Sequence, residues 1–410
     1  MSAWKEYRLG DISKTIQTGP FGSQLHQSDY VDDGIPCIMP KNIGQHLNIN
    51  CEEIAKVKPE DLNRLSRYKV IYGDIVYSRR GDIEKCAYIT KEQTGWLCGT
   101  GCLNVRINED LADSKFIAYY LSLPNTKSWL KKSAVGTTML NLNTSILADV
   151  PITMPSLDEQ RAIASILSSL DSKIENNRKI CANLEAQAQA LFKHWFIDFA
   201  PFKDGKFVES ELGMIPEGWR VGKLGDVTEF LNGFAFKSSS FVSKGKYKVI
   251  TIKAVQDGKL ITDSADEIED LSLNIPSHCV LKIGDILLSL TGNVGRVCIV
   301  TQDNLVLNQR VCILNPRNLI DRGYVYTLSR TKLLKTRMIN IAKGTAQANL
   351  SPVETSKLSI VVPPRYILDK FGIIANEYMS EIISAYQENQ RLSSLRDTLL
   401  PKLMSGEIKV

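Results

Sequence analysis

One stretch of the chain occurs twice: YGDIVYS at residues 72–78 and IGDILLS at residues 283–289. A glycine turn follows each copy, RGD at residues 80–82 and TGN at residues 291–293. A short apolar run between a Gly-Asp pair and a turn is typical of a buried strand. Because the same strand and turn recur 211 residues apart, we infer that the chain carries a duplicated module.

Further motif pairs occur in the same order at nearly the same spacing. They are WKEYRLGDI at 4–12 with WRVGKLGDV at 219–227, GT at 136–137 with GT at 344–345, NL at 141–142 with NL at 349–350, and VPITMP at 150–155 with LSIVVP at 358–363. The offset drifts only from 215 to 208, as small loop deletions would produce. The alternative is a structural duplication without a shared function.

Each copy combines short β-rich runs with a short helical stretch. In the first copy, Asp74–Ser78 and Leu103–Ile107 precede a helical stretch at Ser114–Leu123. In the second copy, the predicted strands are Asp285–Leu290 and Arg296–Thr301. Strands separated by Gly, Asn and Asp turns predict an α+β fold with a mostly antiparallel sheet in each module.

A long helix with a heptad pattern follows each copy. Its apolar positions begin at Ile163 in the first copy and at Leu368 in the second, and their spacing alternates between three and four residues. This period, sustained over more than four heptads, predicts a coiled coil. The alternative is two amphipathic helices that each pack on their own domain.

One Asn interrupts each apolar seam, Asn177 in the first helix and Asn389 in the second. In an antiparallel pair these two can face each other, which predicts that they set the register. The same register pairs Cys181 with Ala385, Leu184 with Ile382, Ile174 with Leu392 and Leu167 with Leu399. One layer is mixed, with Leu170 opposite Arg396, and we expect the Arg396 head group to reach water.

These patterns divide the chain into five parts. We expect globular modules at residues 1–155 and 219–364, spacer helices at 156–200 and at 365–410 with the C-terminal tail, and a linker at 201–218. Two antiparallel helices of about 30 residues make a rod about 45 Å long, with the modules at opposite ends about a pseudo-twofold axis. Such a rod suits DNA half-sites about 34–36 Å apart with an unread gap between them.

The composition is that of a globular protein, with 410 residues, 43% hydrophobic residues and a net charge of +5. No apolar run approaches the roughly 20 residues of a membrane-spanning helix. The first residues lack the layout of a signal peptide. We therefore expect a cytoplasmic protein without a membrane partner, whose nine cysteines are reduced.

Four segments resemble the specificity subunits of type I restriction–modification enzymes. They are MPSLDEQR at 154–161, LEAQAQALFKHWF at 184–196, ELGMIPEGW at 211–219 and LRDTLLPKLMSGEI at 395–408. They are similar to the family's spacer helix, its linker and its chain end. The second spacer departs from the pattern, because PPRY at 363–366 is not followed by a Glu-Gln pair.

The resemblance implies a non-catalytic subunit with two target-recognition domains, each of which reads half of an asymmetric bipartite DNA site. It implies double-stranded DNA, two methyltransferase subunits and restriction–translocase subunits as partners, with the spacer helices as the docking surface for the methyltransferases. An alternative from another class is a protein-interaction scaffold without intrinsic DNA readout.

The motifs of an enzyme are missing from the sequence. There is no GxxxxGK[ST] phosphate loop, and NPRN at 315–318 lacks the second proline and the aromatic residue of the amino-methyltransferase motif. Cys86, Cys98 and Cys102 have ligand-like spacing but no histidine near them in the sequence. The sequence therefore predicts no catalytic residue, no cofactor and no metal site.

Basic residues cluster at equivalent points of the two copies, just before each Gly-Thr pair. No acidic residue lies between Arg330 and Lys343. A basic helix face and glycine-loop amides predict DNA phosphate contacts, which position a protein without reading sequence. The alternative is a solvated helix face. The candidates are Lys131, Lys132, Gly136 and Thr137 in the first copy and Lys335, Arg337, Lys343, Gly344 and Thr345 in the second.

Base reading needs side chains that reach base edges, typically Arg to guanine and Asn or Gln to adenine. The candidates are Lys41, Asn42, Arg79 and Arg80 in the first copy and Lys253, Asn293, Arg310 and Gln347 in the second. They lie in predicted loops or strand ends near the repeated glycine motifs. Because two different half-sites need different readers, we expect specificity to lie where the copies diverge.

Overall fold

The computed structural model describes residues 4–135, 140–271, 274–344 and 348–410. The chain forms two compact units, the first made of Met1–Ser172 with Leu392–Val410 and the second of Lys173–Arg391. Each spacer helix contributes one segment to each unit. The compact units therefore include parts of the spacer helices as well as the predicted modules.

The first unit is built mainly from short strands. They are β1 Lys5–Arg8, β2 Ser13–Thr18, β3 Tyr30–Val31, β4 Ile35–Ile38, β5 Ala55–Val57, β6 Ile75–Ser78, β7 Cys86–Tyr88, β8 Leu97–Cys98, β9 Cys102–Ile107 and β10 Pro151–Met154. The sheets have the orders β2-β9-β6-β7, β3-β5-β4-β8 and β1-β10. Among the strands named here, the pairings are antiparallel except that of β4 with β8.

Short helices pack beside these sheets, and a long one follows them. They are α1 Pro59–Arg64, α2 Ser114–Leu121, α3 Pro124–Ser133, α4 Thr144–Ala148 and α5 Leu157–Phe192. The side chain of Asp113 caps α2 by accepting from the Phe116 amide, and Asn143 caps α4 by accepting from the Ile146 amide. Capping by Asp and Asn explains why these helices begin where they do.

The strands of the second unit are β11 Phe207–Ser210, β12 Gly213–Pro216, β13 Arg220–Lys223, β14 Thr228–Asn232, β15 Tyr247–Ile250, β16 Val255–Gln256, β17 Lys259–Leu260, β18 Glu267–Ile268, β19 Ile286–Ser289, β20 Val297–Ile299, β21 Leu305–Leu307, β22 Val311–Pro316 and β23 Ser359–Val362. The helices are α6 Arg322–Ser329, α7 Lys332–Ile341, α8 Pro352–Ser356 and α9 Arg365–Met404. The predicted linker at 201–218 contains the hairpin β11-β12.

The two units repeat one topology. The sheet β14-β22-β19-β20 of the second unit has the order of β2-β9-β6-β7 in the first, and β13-β23 matches β1-β10. The parallel pair β15-β21 likewise matches β4-β8. The duplication and the α+β class predicted from the sequence are confirmed.

The repeated stretch owes its continuous apolar run to burial on both faces. Ile75 and Tyr77 of β6 belong to one apolar cluster, whereas Val76 faces another. In β19, Ile286 and Leu288 likewise face away from Leu287. Since successive side chains of a strand point to opposite faces, a strand between two cores needs apolar residues throughout.

The Gly-Asp pair before each of these strands makes a tight turn. Gly73 and Gly284 have φ values of 90° and 91°, in the left-handed region that favours glycine. The Asp74 carboxylate accepts from the amide of Ile71 at 3.0 Å, and Asp285 accepts from Lys282 at 2.7 Å. The motif is therefore a structural turn that starts the strand.

The long helices α5 and α9 pair in antiparallel fashion. In the second unit, Nδ2 of Asn177 donates to Oδ1 of Asn389 at 3.0 Å and to the Glu388 carboxylate at 2.6 Å. Cys181 lies four residues further along α5 and packs with Ile382 and Ala385, earlier in α9. In the first unit, Leu167 belongs to the same apolar cluster as Leu399 and Leu403. The structure thus brings the two seam asparagines together.

The layer with Arg396 differs from the prediction. Its side chain is only 4% exposed, and its Nη1 bonds the Asp171 carboxylate at 2.8 Å. Its Nη2 bonds Asp397, also at 2.8 Å. The expectation that the head group reaches water is wrong, because Asp171 of α5 offers a charged partner beside the seam, which the heptad pattern does not reveal.

None of the helices in the described residues combines the length and the apolar character of a bilayer-spanning segment.

We predict that replacing both Asn177 and Asn389 with Leu raises the melting temperature and weakens register specificity, because an apolar layer replaces a buried polar pair. Calorimetry and light scattering after size-exclusion chromatography measure the two effects. Asn177→Leu alone is the matched control, and it should cost about 1 kcal/mol because it removes a hydrogen-bond partner of Asn389. An unchanged melting temperature and oligomeric state in the double variant would contradict the role assigned to the pair.

Candidate nucleic-acid interface

Two segments that lie far apart in the sequence meet at the end of β6. Arg80 forms an isolated antiparallel bridge with Asn141, which also bridges to Val135. The Leu142 amide donates to the Arg79 carbonyl at 2.9 Å. The turn after β6 and the segments that flank the first Gly-Thr pair therefore share one backbone junction, the first junction (residues 79–80, 135 and 141–142).

The second unit has the same arrangement at the end of β19. Thr291 forms an isolated bridge with Asn349, which also bridges to Lys343. The Leu350 amide donates to the Leu290 carbonyl at 2.7 Å. These residues form the second junction (residues 290–291, 343 and 349–350), at the positions that match the first. Two of the sequence repeats are therefore in contact in each unit.

A third segment joins each junction from the neighbouring sheet strand. The Arg79 amide donates to the Gly101 carbonyl at 2.8 Å, and the Leu290 amide donates to the Arg310 carbonyl at 3.0 Å. The same backbone hydrogen bond thus occurs in both units, but the arginine is the donor residue in the first unit and the acceptor residue in the second. One unit carries Arg79 against a glycine, and the other carries Arg310 against a leucine.

Several buried polar atoms at the junctions have no hydrogen-bond partner within the described residues. In the first unit these are Nε of Arg79, Oγ1 of Thr100 and Oδ1 of Asn141. At the second junction the corresponding atom is Oγ1 of Thr291. A buried polar atom without a partner costs about 1–3 kcal/mol, so a side-chain rotation that brought these atoms to a polar ligand would gain binding energy.

The exposed reading candidates are Lys41, Arg80, Lys253, Asn293 and Arg310. Arg79 is half-buried at the first junction. Asn293 lies two residues after Thr291 of the second junction. Its backbone carbonyl accepts from the Ser289 hydroxyl at 2.6 Å, and the residue is exposed to solvent. Arg79, Arg80, Asn293 and Arg310 are therefore grouped around the two junctions, one pair in each unit.

Asn42 is only 1% exposed, and both ends of its amide are used by the backbone. Its Oδ1 accepts from the Met39 amide at 3.0 Å, and its Nδ2 donates to the Asn50 carbonyl at 3.1 Å. The structure contradicts its selection as a base reader, because its amide holds a turn together. Gly136, Thr137, Thr345 and Gln347 lie outside the described residues.

Three of the residues predicted to contact phosphates bond groups of the protein itself. Lys131 forms an ion pair with Glu84 at 2.5 Å, and Lys335 forms one with Asp257 at 2.6 Å. Arg337 donates to the Ser359 carbonyl at 2.5 Å. The remaining candidates, Lys132, Lys343 and Gly344, are exposed. Gly344 has a φ of 112°, a conformation that other residues rarely adopt.

Arg330 does not belong to a basic helix face. Its side chain is 17% exposed and forms ion pairs with Glu185 and Asp257. Its Nη1 also donates to the Tyr326 hydroxyl at 2.8 Å. Burial lowers the pKa of Arg330 and raises that of Tyr326. Its charge is balanced inside the protein and is not presented to a ligand.

Sequence reasoning did not select Thr100, Asn141 or Thr291 as functional residues. Asn141 appeared only as part of a repeat, and Thr291 only as part of a turn. One signal in the sequence could have identified Thr291. It is a polar residue whose counterpart in the first copy, Arg80, has different chemistry.

A family model described as "Type I restriction modification DNA specificity domain" matches residues 1–186 and 216–394. The chain is 30% identical to the type I restriction enzyme MjaIX specificity subunit of Methanocaldococcus jannaschii, over 99% of this chain and 94% of that protein. It is 25% identical to the HindI specificity subunit of Haemophilus influenzae, over the full length of both.

The fold has a counterpart among solved structures. The crystal structure of a type I restriction–modification S subunit from M. genitalium matches with a TM-score of 0.58 at 18% identity, over 98% of this chain and 96% of that one.

Proposed function

We propose that each unit of this chain, which belongs to the family of type I restriction–modification DNA specificity subunits, binds one half of an asymmetric bipartite site in double-stranded DNA. The chain is a non-catalytic specificity subunit with two target-recognition domains. It acts as part of a multisubunit restriction–modification complex.

One observation carries the proposal: the same backbone junction, with buried unpartnered polar atoms, recurs in both units beside exposed basic side chains. Bases and phosphates supply the hydrogen-bond acceptors that Arg and Lys need, whereas an apolar protein surface does not. Side chains that differ between the junctions can read different half-sites. Lys132 and Lys343 can contact phosphates and position each domain.

We further propose that two methyltransferase subunits dock on α5 and α9, and that restriction–translocase subunits join the complex through them. Both helices expose large apolar side chains, namely Ile166, Ile180, Tyr366, Ile373 and Leu395. The continuous helices would also set the unread gap between the half-sites.

A salt titration tests whether the chain binds DNA or is only a protein scaffold. For the complex with its methyltransferase partner on random-sequence duplex, we expect log K to fall linearly with log salt, with a slope of about −0.9 per phosphate contacted. Lys132→Ala should make the slope shallower by about one contact, whereas Lys132→Arg keeps the charge and should not. Binding without salt dependence would refute the DNA function and favour the scaffold.

Base reading at the junctions predicts that Arg79→Ala and Arg310→Ala each relax specificity in only one half-site. The loss of a bidentate contact to guanine costs about 1–3 kcal/mol of discrimination. Methylome sequencing of cells that carry each variant identifies the affected half. Equal weakening on all sequences would instead assign these residues to phosphate contacts.

One heptad inserted into both α5 and α9, on the same side of the Asn177–Asn389 layer, should lengthen the unread gap by about 10 Å, or about three base pairs. The methylated motif of the variant reports the new gap. Insertion into a single helix is the control, because it breaks the pairing of the seams and should impair modification altogether. A gap that stays the same in the double insertion would show that the helices do not set it.

A further inference from the structure

An exposed aromatic ring lies beside Arg79 in the first unit. Phe21 is 54% exposed, and its ring centroid is 6.0 Å from the guanidinium carbon of Arg79. Within the described residues, Arg79 forms no ion pair and its buried Nε has no hydrogen-bond partner. An apolar ring and an uncompensated cation are thus presented side by side at the first junction.

The loop that carries Phe21 is held in place from both sides. A Cβ at Gly19 would lie 2.1 Å from the Gly99 carbonyl oxygen, so only glycine allows the end of β2 to approach the turn so closely. The Phe21 amide donates to Oε1 of Gln24 at 3.2 Å, and the Tyr68 hydroxyl donates to the same oxygen at 2.9 Å. The exposure of Phe21 is therefore built into the fold.

The second unit does not carry this pair. Leu290 occupies the position of Arg79 and is buried. Gly233, like Gly19, would place a Cβ 2.1 Å from a carbonyl oxygen, but the aromatic residue that follows it, Phe234, is half-buried against an apolar cluster. The Phe–Arg pair is thus a property of one domain, as a reader of one half-site must be.

The surroundings of the pair favour nucleic acid over an apolar protein surface. Thr100 and Asn141 each hold one oxygen atom without a hydrogen-bond partner at the same junction, and a rotation of either side chain would bring that atom to a ligand. An apolar partner that covered Phe21 would leave these atoms and Arg79 unsatisfied. The edge of a base pair supplies donors, acceptors and, in thymine, a methyl group within one surface of the major groove.

We propose that Arg79 and Phe21 act together as one reading element for a guanine with a neighbouring thymine. Arg79 donates two hydrogen bonds to O6 and N7 of the guanine, and the Phe21 ring contacts the 5-methyl group of the thymine. This inference rests on the proposed DNA-binding function and adds the identity of two adjacent bases in the half-site of the first domain.

The test uses the complex with its methyltransferase partner. Methylome sequencing first defines the motif of the wild-type complex, which should contain adjacent thymine and guanine in the half altered by Arg79→Ala. Binding is then compared on duplexes with that thymine or with deoxyuridine, which lacks only the methyl group. We expect wild type to prefer thymine about fourfold. Phe21→Ala should abolish this preference, and Phe21→Leu should keep part of it.

Tyr72→Ala is the matched control. Tyr72 is also 54% exposed and has a cation nearby, with Nζ of Lys91 5.7 Å from its ring, but it precedes β6 whereas Arg79 follows it. Its loss should leave the thymine preference intact. Arg79→Ala should reduce discrimination for the guanine by roughly fivefold to 150-fold without affecting the other half-site.

Failure of this inference is distinct from failure of the proposed function. If the wild-type complex modifies no bipartite motif, the proposed function fails. If it modifies a bipartite motif without adjacent thymine and guanine bases, the reading element is refuted. The same holds if Phe21→Ala keeps the preference for thymine. Equal weakening by Phe21→Ala on both duplexes, with an unchanged thymine preference, refutes it as well.

Discussion

The hydrogen bond between Asn177 and Asn389 is the constraint on which the pairing of the long helices depends. Asn177 is 2% exposed, so its amide needs a partner inside the helix pair. A shift of one heptad in one direction would place Asn177 against Ile382, and in the other direction against Arg396, so the two amides would no longer bond each other. The penalty for such a shift selects one register out of several that bury similar apolar area.

That register decides which charged residues meet beside the seam. In the first unit, Asp171 of α5 binds Arg396 of α9 and accepts from the Tyr119 hydroxyl of α2. Burial and the Asp171 carboxylate raise the pKa of Tyr119. In the second unit, Glu185 of α5 binds Arg330 and the Tyr326 hydroxyl. Each globular part is therefore tied to α5 by a buried tyrosine, which donates to a carboxylate that also pairs with an arginine. Hydrogen bonds to such charged groups are directional, unlike apolar packing.

At the two junctions the backbone is shared, whereas the side chains that could contact DNA differ. Their backbone hydrogen bonds match between the units, because strands, turns and bridges depend on main-chain groups that every residue has. Their side chains do not match: Arg79 corresponds to Leu290, and Gly101 to Arg310. A duplicated module can thus keep its geometry while each copy changes the chemistry that it offers to a ligand.

The sequence by itself determined the duplication, the α+β class, the two long helices and the two asparagines that meet, because periodicity and repetition are local properties of the chain. Only the tertiary structure decided which polar groups are buried and bonded to other groups of the protein. Asn42, Arg330 and Arg396 resemble surface residues in sequence, but the fold buries them. Asn42 is bonded within its own turn, whereas Arg330 and Arg396 bind acidic residues brought in from distant segments. Thr100 and Asn141 do not stand out in the sequence and become candidates because the fold leaves one oxygen atom of each buried without a partner. Burial and pairing depend on contacts between segments far apart in the chain, which local patterns do not encode.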